Sequence, residues 1–254
     1  MARKSARLKK DISISAFFPC YNDAGTIASM VALAKLTLKK ITDDFEIIVV
    51  DDGSSDLSRE ILKELKLNNQ YLKLIFHKKN KGYGGALISG FKKASKDFVF
   101  YSDGDFQYDV SELGKLVKKI SDKVDVVQGY KIKRHDPWYR IIIGDLYNFG
   151  VKFAFNIKIK DVDCDFRLIR RSMFDGVKLM HKSGVITVEM VKKIQDAGYK
   201  FVEVPVSHFF RSYGNSQFFN FKRIAKVAIE LVDLWKELVL NKWLATISSK
   251  TKGF

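Results

Sequence analysis

Phe45-Glu46-Ile47-Ile48-Val49-Val50 is a nearly continuous apolar run that ends on Asp51-Asp52-Gly53-Ser54-Ser55-Asp56. A run of that kind suits a strand of a parallel sheet, buried on both faces by helices. The segments around it follow the same plan. Residues 12–18 read as a strand, and residues 25–40 as a helix with Ile27, Met30, Val31, Ala34 and Leu38 on one stripe. Downstream, helical patterns over 58–67, 84–95 and 111–120, the last capped by Ser111, alternate with strand patterns over 72–76, 98–101 and 124–129. This β-α-β alternation predicts an α/β fold with a mostly parallel central sheet flanked by helices. The second half is less regular. It reads as helices over 138–155, 187–197 and 218–244, and strands over 166–169 and 200–206.

The 254 residues carry 45 Lys+Arg against 29 Asp+Glu, a net charge of +16, and 46% of them are hydrophobic. That apolar fraction excludes a disordered chain. Two cysteines, Cys20 and Cys164, exclude a disulfide scaffold, and both read as small buried residues. No apolar run of about 18 residues is present, so no spanning helix is expected. The division expected is a basic tail over 1–10, a catalytic domain over 11–217, and an amphipathic helix with its tail over 218–254. For that last helix two places are open: packed on the domain, or lying in a membrane interface, which Trp235, Trp243 and the flanking lysines suit.

Ligands of open α/β sheets bind beyond the carboxyl ends of the strands. Three loops with carboxylates fall there: Pro19-Cys20-Tyr21-Asn22-Asp23, Asp51–Asp56 and Asp103-Gly104-Asp105-Phe106-Gln107. Asp103 and Asp105, two residues apart after an apolar strand, suit a shared divalent cation that keeps positions for phosphate oxygens. Asp52 suits hydrogen bonds from a base or ribose, and equally a turn with an N-cap. Lys79-Asn80-Lys81-Gly82-Tyr83-Gly84-Gly85-Ala86 opens the next helix, with glycines that allow close approach to a phosphate. It is neither a P-loop nor a G-x-G-x-x-G. A nucleic-acid-binding module is disfavoured, because these loops are acidic where such a module needs basic and aromatic residues.

In order along the chain, these loops resemble the inverting GT-A glycosyltransferases of family 2, and within it the dolichyl-phosphate mannose synthase branch of polyprenyl-phosphate glycosyltransferases. The resemblance spans roughly residues 11–240. It continues through Asp165-Phe166-Arg167, Glu203-Val204-Pro205-Val206 and Arg211-Ser212-Tyr213-Gly214-Asn215-Ser216. It implies a GT-A fold and transfer of mannose or glucose from a GDP- or UDP-sugar to a polyprenyl phosphate. The donor would be held by Pro19, Tyr21, Asp23, Asp52, Gly53, Lys81, Asp103 and Arg211. Mg2+ or Mn2+ would sit on Asp103, Asp105 and Gln107, with Asp103, Asp105 and Arg211 as the catalytic set. Lys131, Arg140 and Arg167 would hold the acceptor phosphate.

The chain departs from that branch on the acceptor side. Gly129-Tyr130-Lys131 stands for Gly-x-Arg, Gly144 for a serine, and Gln217 for a lysine. The implied setting is the cytoplasmic membrane face, with a peripheral enzyme and no nucleic acid. A phosphate monoester is already largely anionic at neutral pH, so no general base is needed. Glu189 is then left either as a base or as a bond within the fold. The alternative activity is a family 2 transferase acting on a sugar hydroxyl in glycan synthesis.

Overall fold

The computed structural model describes residues 11–132, 138–210, 213 and 221–244. Its centre is a seven-stranded sheet in the order β3-β2-β1-β4-β6-β5-β7. The strands are β1 (Ile14–Cys20), β2 (Phe45–Asp51), β3 (Leu72–Phe76), β4 (Phe98–Ser102), β5 (Val126–Lys131), β6 (Phe166–Arg170) and β7 (Phe201–Val206). All pairings are parallel except those of β6, which runs antiparallel to both β4 and β5. The 45–50 run is buried at every position, as expected of a strand covered on both faces. One cluster, built on Ile47, Val49, Phe18 and Phe100, lies under α1 (Ile27–Ile41) and α2 (Ser58–Leu67). The other, built on Phe17, Ile48, Val50 and Tyr101, lies under α3 (Tyr83–Lys93) and α7 (Ile186–Asp196). Both cysteines are buried and unpaired, and burial pushes both thiols up.

One local expectation changes, and one that was open is decided for the described residues. The 111–120 segment is a 3-10 turn over Val110–Glu112 followed by a short α4 (Leu113–Val117). Its cap is Asp109, whose carboxylate accepts from the backbone N–H of Ser111 at 2.8 Å, so Ser111 is the recipient of the cap. The C-terminal helix, α8 (Phe221–Trp235) continued by a π-turn over Lys236–Leu240, docks on the domain through its described residues. Leu234 and Leu238 are buried against Val151 and Phe155 of α5 (Trp138–Phe155) and against Val188 and Val191 of α7. The Trp235 indole donates to the Ala154 carbonyl at 2.9 Å. No helix among the described residues is long and apolar enough to cross a membrane.

Leu234→Ala should therefore lower unfolding stability by about 2–5 kcal/mol in detergent-free buffer. Denaturant titration checks this, since a helix held only by lipid would lose nothing there.

Candidate active site

The parallel register stacks the carboxyl ends of β1, β2 and β4 at one edge, because Cys20 pairs with Asp51 and Tyr101 with Phe17. The loops that follow are stitched to each other. Asn22 N–H donates to Ser54 Oγ, Asp23 N–H to Ser58 Oγ, and Ala24 N–H to Asp56, each at 3.0 Å. Asn22 and Phe106 hold left-handed backbone, with φ of 57° and 65°. Such conformations cost energy outside glycine and gather at functional loops. Gly104, between the two carboxylates of the D-x-D, has no alternative: a Cβ there would lie 2.3 Å from the Pro19 carbonyl oxygen.

Each of the carboxylates at this edge has a defined position. Asp51 is buried; its Oδ1 accepts from Arg59 Nε at 2.6 Å and from Gly53 and Ser54 N–H at 3.3 Å. Asp52 is buried too. It accepts from the N–H of Lys81 (2.8 Å) and Gly82 (2.9 Å), with His77 Nδ1 at 2.6 Å. In the structure Asp52 positions the 79–82 turn, a contact across the fold that neither of its sequence readings named. Asp23 accepts from Tyr21 N–H and starts α1, its carbonyl receiving the N–H of Thr26 and Ile27. Asp103 Oδ1 accepts from the Tyr83 hydroxyl at 2.7 Å. Asp105 Oδ1 accepts from Gln107 N–H at 3.1 Å, and the Gln107 amide donates to the Phe209 carbonyl. That contact and the Phe209 N–H to the Gln107 carbonyl fasten the segment after β7 onto the D-x-D loop.

The glycines after β3 do not form a phosphate cradle. The N–H groups of Lys81 and Gly82 go to Asp52, and Gly84 N–H goes to the Lys182 carbonyl at 2.9 Å. A Cβ on Gly82 or Gly84 would strike the carbonyl oxygens of Lys182 or His181. These glycines admit the 178–184 loop, whose N–H groups at Met180 and His181 are held by buried Glu189. Burial opposes ionisation of Glu189, but Lys193 and those two N–H groups outweigh it and hold its carboxyl below the ordinary range. Glu189 is a bond within the fold.

Arg167 is a second correction. It is 1% exposed, with its guanidinium on Gln128 Oε1 (2.5 Å), the Val162 carbonyl (2.5 Å) and the Tyr101 hydroxyl, and 3.5 Å from Asp165. Both faces of β6 are buried, and these partners enclose the guanidinium inside the fold, away from any surface an acceptor phosphate would reach. Lys131 ends β5 beside a cavity of about 170 Å³ lined also by Gly144, Asp145, Asn148, Asp161 and Asp163. Its ammonium lies 3.5 Å from Asp161 Oδ2 and 3.4 Å from the Asp163 carbonyl. Arg140 lies in α5, its side chain outside what is described, and Arg211 lies outside the described residues.

Sequence reasoning assigned no role to Tyr83, Asp161, Asp163 or Asp165. Because Ser102 pairs with Phe166, β6 sets Asp165 beside Asp103; the Tyr83 hydroxyl donates to Asp103 and the Tyr101 hydroxyl to Asp165. The signal available was the two-residue spacing of Asp161, Asp163 and Asp165 on entry to a strand. Burial pushes the Asp163 carboxyl up to about 6, against the pull of Lys131, and Asp161 and Asp165 push the same way. Its stabilising contribution is thus largest in acid and is lost as the pH rises through about 6, because the unfolded chain ionises freely from 3.8. Asp163→Asn should accordingly raise the Tm relative to the parent at pH 7.5 and leave it nearly unchanged at pH 4, as scanning calorimetry at the two values would show.

Among the described residues no group of three or more His, Cys, Asp or Glu side chains could by itself hold a metal ion. Two carboxylates, Asp103 and Asp105, fit a hard cation whose other ligands come from substrate phosphates and water.

Comparisons with known proteins bear on the family and the fold. Residues 15–177 match the family model described as Glycosyl transferase family 2. A relative from Proteus mirabilis, undecaprenyl-phosphate 4-deoxy-4-formamido-L-arabinose transferase, is 27% identical over 220 residues, which are 86% of this chain and 66% of that protein. The chain thus spans just under two thirds of that relative's length. Among solved structures, glucosyl-3-phosphoglycerate synthase from Mycobacterium tuberculosis, bound to Mn2+, UDP and glucosyl-3-phosphoglycerate, superposes with a TM-score of 0.67 at 14% identity. The match covers 89% of this chain and 80% of that one. The same enzyme with Mn2+ and UDP-glucose gives 0.67 at 12% identity, covering 89% and 79%. The fold is that of the GT-A glycosyltransferases, and the chain belongs to glycosyl transferase family 2.

Proposed function

We propose that this chain moves a hexose, mannose or glucose, from a GDP- or UDP-sugar to a polyprenyl phosphate, with inversion, at the cytoplasmic face of a membrane. One observation carries the reading. Asp103 and Asp105 lie at the same sheet edge as the stitched loops holding Pro19, Tyr21, Asp23, Asp52 and Gly53. The relative named for undecaprenyl phosphate supports the acceptor class.

In this reading the nucleoside lies against Tyr21 and Asp23 and its diphosphate reaches toward Asp103 and Asp105. Arg211 and Lys81 supply further positive charge. Mg2+ or Mn2+, held by Asp103 and Asp105 with Gln107 close by, would neutralise charge on the departing diphosphate. An acceptor phosphate oxygen attacks the anomeric carbon as the bond from that carbon to the nucleoside diphosphate breaks. The acceptor is already an anion, so no proton has to be removed. Glu189, bonded inside the fold, is not needed as a base. Lys131, with Arg140 on α5, is the group proposed to meet the acceptor phosphate.

One observation favours a second reading, transfer to a sugar hydroxyl. The cavity at Lys131 also carries Asp145, Asp161 and Asp163, and a carboxylate titrating near 6 is suited to take a proton from a hydroxyl. Incubation with labelled GDP- and UDP-sugars separates the two. The main reading expects label in an organic-extractable product only when polyprenyl phosphate is added, with loss on EDTA treatment. Asp105→Ala should cut transfer at least about 100-fold at unchanged Tm, in line with loss of a charge-stabilising group. Label carried only into water-soluble acceptors would replace this reading with the second.

A further inference from the structure

The described part of α8 packs on the domain through Leu234 and Leu238, and among the described residues α5 leaves a row of exposed apolar side chains. Along α5, Ile142, Leu146, Phe149 and Phe153 are 51%, 66%, 71% and 84% exposed, and the Phe149 and Phe153 rings stack with centroids 6.5 Å apart. At about 100° per residue these four, with Trp138, fall within roughly 80° of the helix circumference. Extending the arc to about 160° on the side of Leu146 adds Ile143, Gly150 and Ala154 and still no charged residue. The opposite side carries buried Val151 and Phe155, and beside them Gly144 and Asn148, which line the cavity at Lys131. One helix therefore shows an uncharged apolar stripe to the outside and borders the proposed acceptor cavity on its inner side.

We propose that the outward stripe of α5 is a membrane-docking surface, which lies in the headgroup–acyl boundary of a bilayer rich in anionic lipid. The inference rests on the proposed lipid-phosphate acceptor for its purpose, though not for its test. The occupant is chosen by charge and by position. On the flank of the stripe Asp145 and Lys152 lie side by side, and Lys158 and Lys160 follow in the loop against α5, where the Lys152 ammonium and the Asn148 amide bond the Lys160 carbonyl. In sequence Lys131, Lys133 and Arg134 precede the helix, in a chain of net charge +16. Apolar residues flanked by lysine and arginine are the pattern of interfacial helices. Docked this way, a lipid keeps its tail among the acyl chains beside Leu146 and Phe149 while its phosphate has only the width of one helix to cross to Lys131.

The test is flotation of the full chain with vesicles of phosphatidylglycerol and phosphatidylethanolamine that contain no polyprenyl phosphate. The parent chain should float, and should float less with phosphatidylcholine vesicles. Leu146→Glu/Phe149→Glu should lose at least ten-fold in bound fraction, as should the milder Ile142→Ser/Phe153→Ser. Ile229→Glu, on the exposed side of α8, should bind like the parent. All four positions on α5 are exposed, so circular dichroism and Tm should be unchanged. Undiminished flotation of both folded α5 variants would overturn the proposal. So would a parent that does not float but falls from dimer to monomer on these substitutions, since the stripe would then join two copies. Activity reads separately: transfer to a short, water-soluble prenyl phosphate should survive in the α5 variants, while transfer to a long-chain acceptor in vesicles falls. Absence of transfer to either acceptor by the parent chain would count against the proposed function and leave the flotation result standing.

Discussion

Carboxylates crowd one edge of this sheet, and the fold must pair them before a ligand arrives. Asp23, Asp51, Asp52, Asp56, Asp103, Asp105 and Asp165 follow or precede strand ends that the register draws together. Buried like charges are tolerated only when donors surround them. Most of the donors here are backbone N–H groups of the loops themselves: Gly53 and Ser54 for Asp51, Lys81 and Gly82 for Asp52, Ala24 and Ser58 for Asp56. Each bond that satisfies a charge also fixes a loop. Burial alone would raise the Asp56 carboxyl, yet the donors of Ser58 and Ala24 hold it below the ordinary range. The result is a preorganised acidic floor, and preorganisation is what electrostatic stabilisation of a leaving group requires.

The floor explains what could be read from the sequence. Apolar runs ending on Asp-Asp-Gly-Ser or Asp-Gly-Asp locate strand ends, and 58–67, 72–76 and 138–155 match the observed elements residue for residue. The antiparallel sense of β6 was not legible, because a run of five residues carries no mark of direction. Nor was the inward turn of Arg167: when both faces of a strand are buried, alternation does not say which side chain meets solvent. The glycines at 82 and 84 misled for a related reason. A glycine reports close approach, and the approaching group is the Lys182–His181 backbone, more than ninety residues away in sequence.

The two halves of the site differ in how they are built. The edge proposed for the donor is a set of loop-to-loop hydrogen bonds close to the D-x-D. The side proposed for the acceptor is a small cavity between β5, the 160–163 loop and α5, with Lys131 set against carboxylates and the Asp163 carboxyl pushed up by burial. Tyr83 and Tyr101 join the two halves through Asp103 and Asp165. The positive excess of the chain thus lies around an acidic centre and does not describe it, which is why composition alone gave no partner.

The acidic floor is proposed to bind a nucleoside diphosphate through a divalent cation. Calorimetric titration of UDP and GDP into the full chain, with Mn2+ and with EDTA, tests it most directly. One of the two nucleotides should bind with Mn2+ and at least ten-fold more weakly without it, and Asp103→Asn should remove the difference. Equal affinity with and without metal, unaffected by Asp103→Asn, would contradict the account.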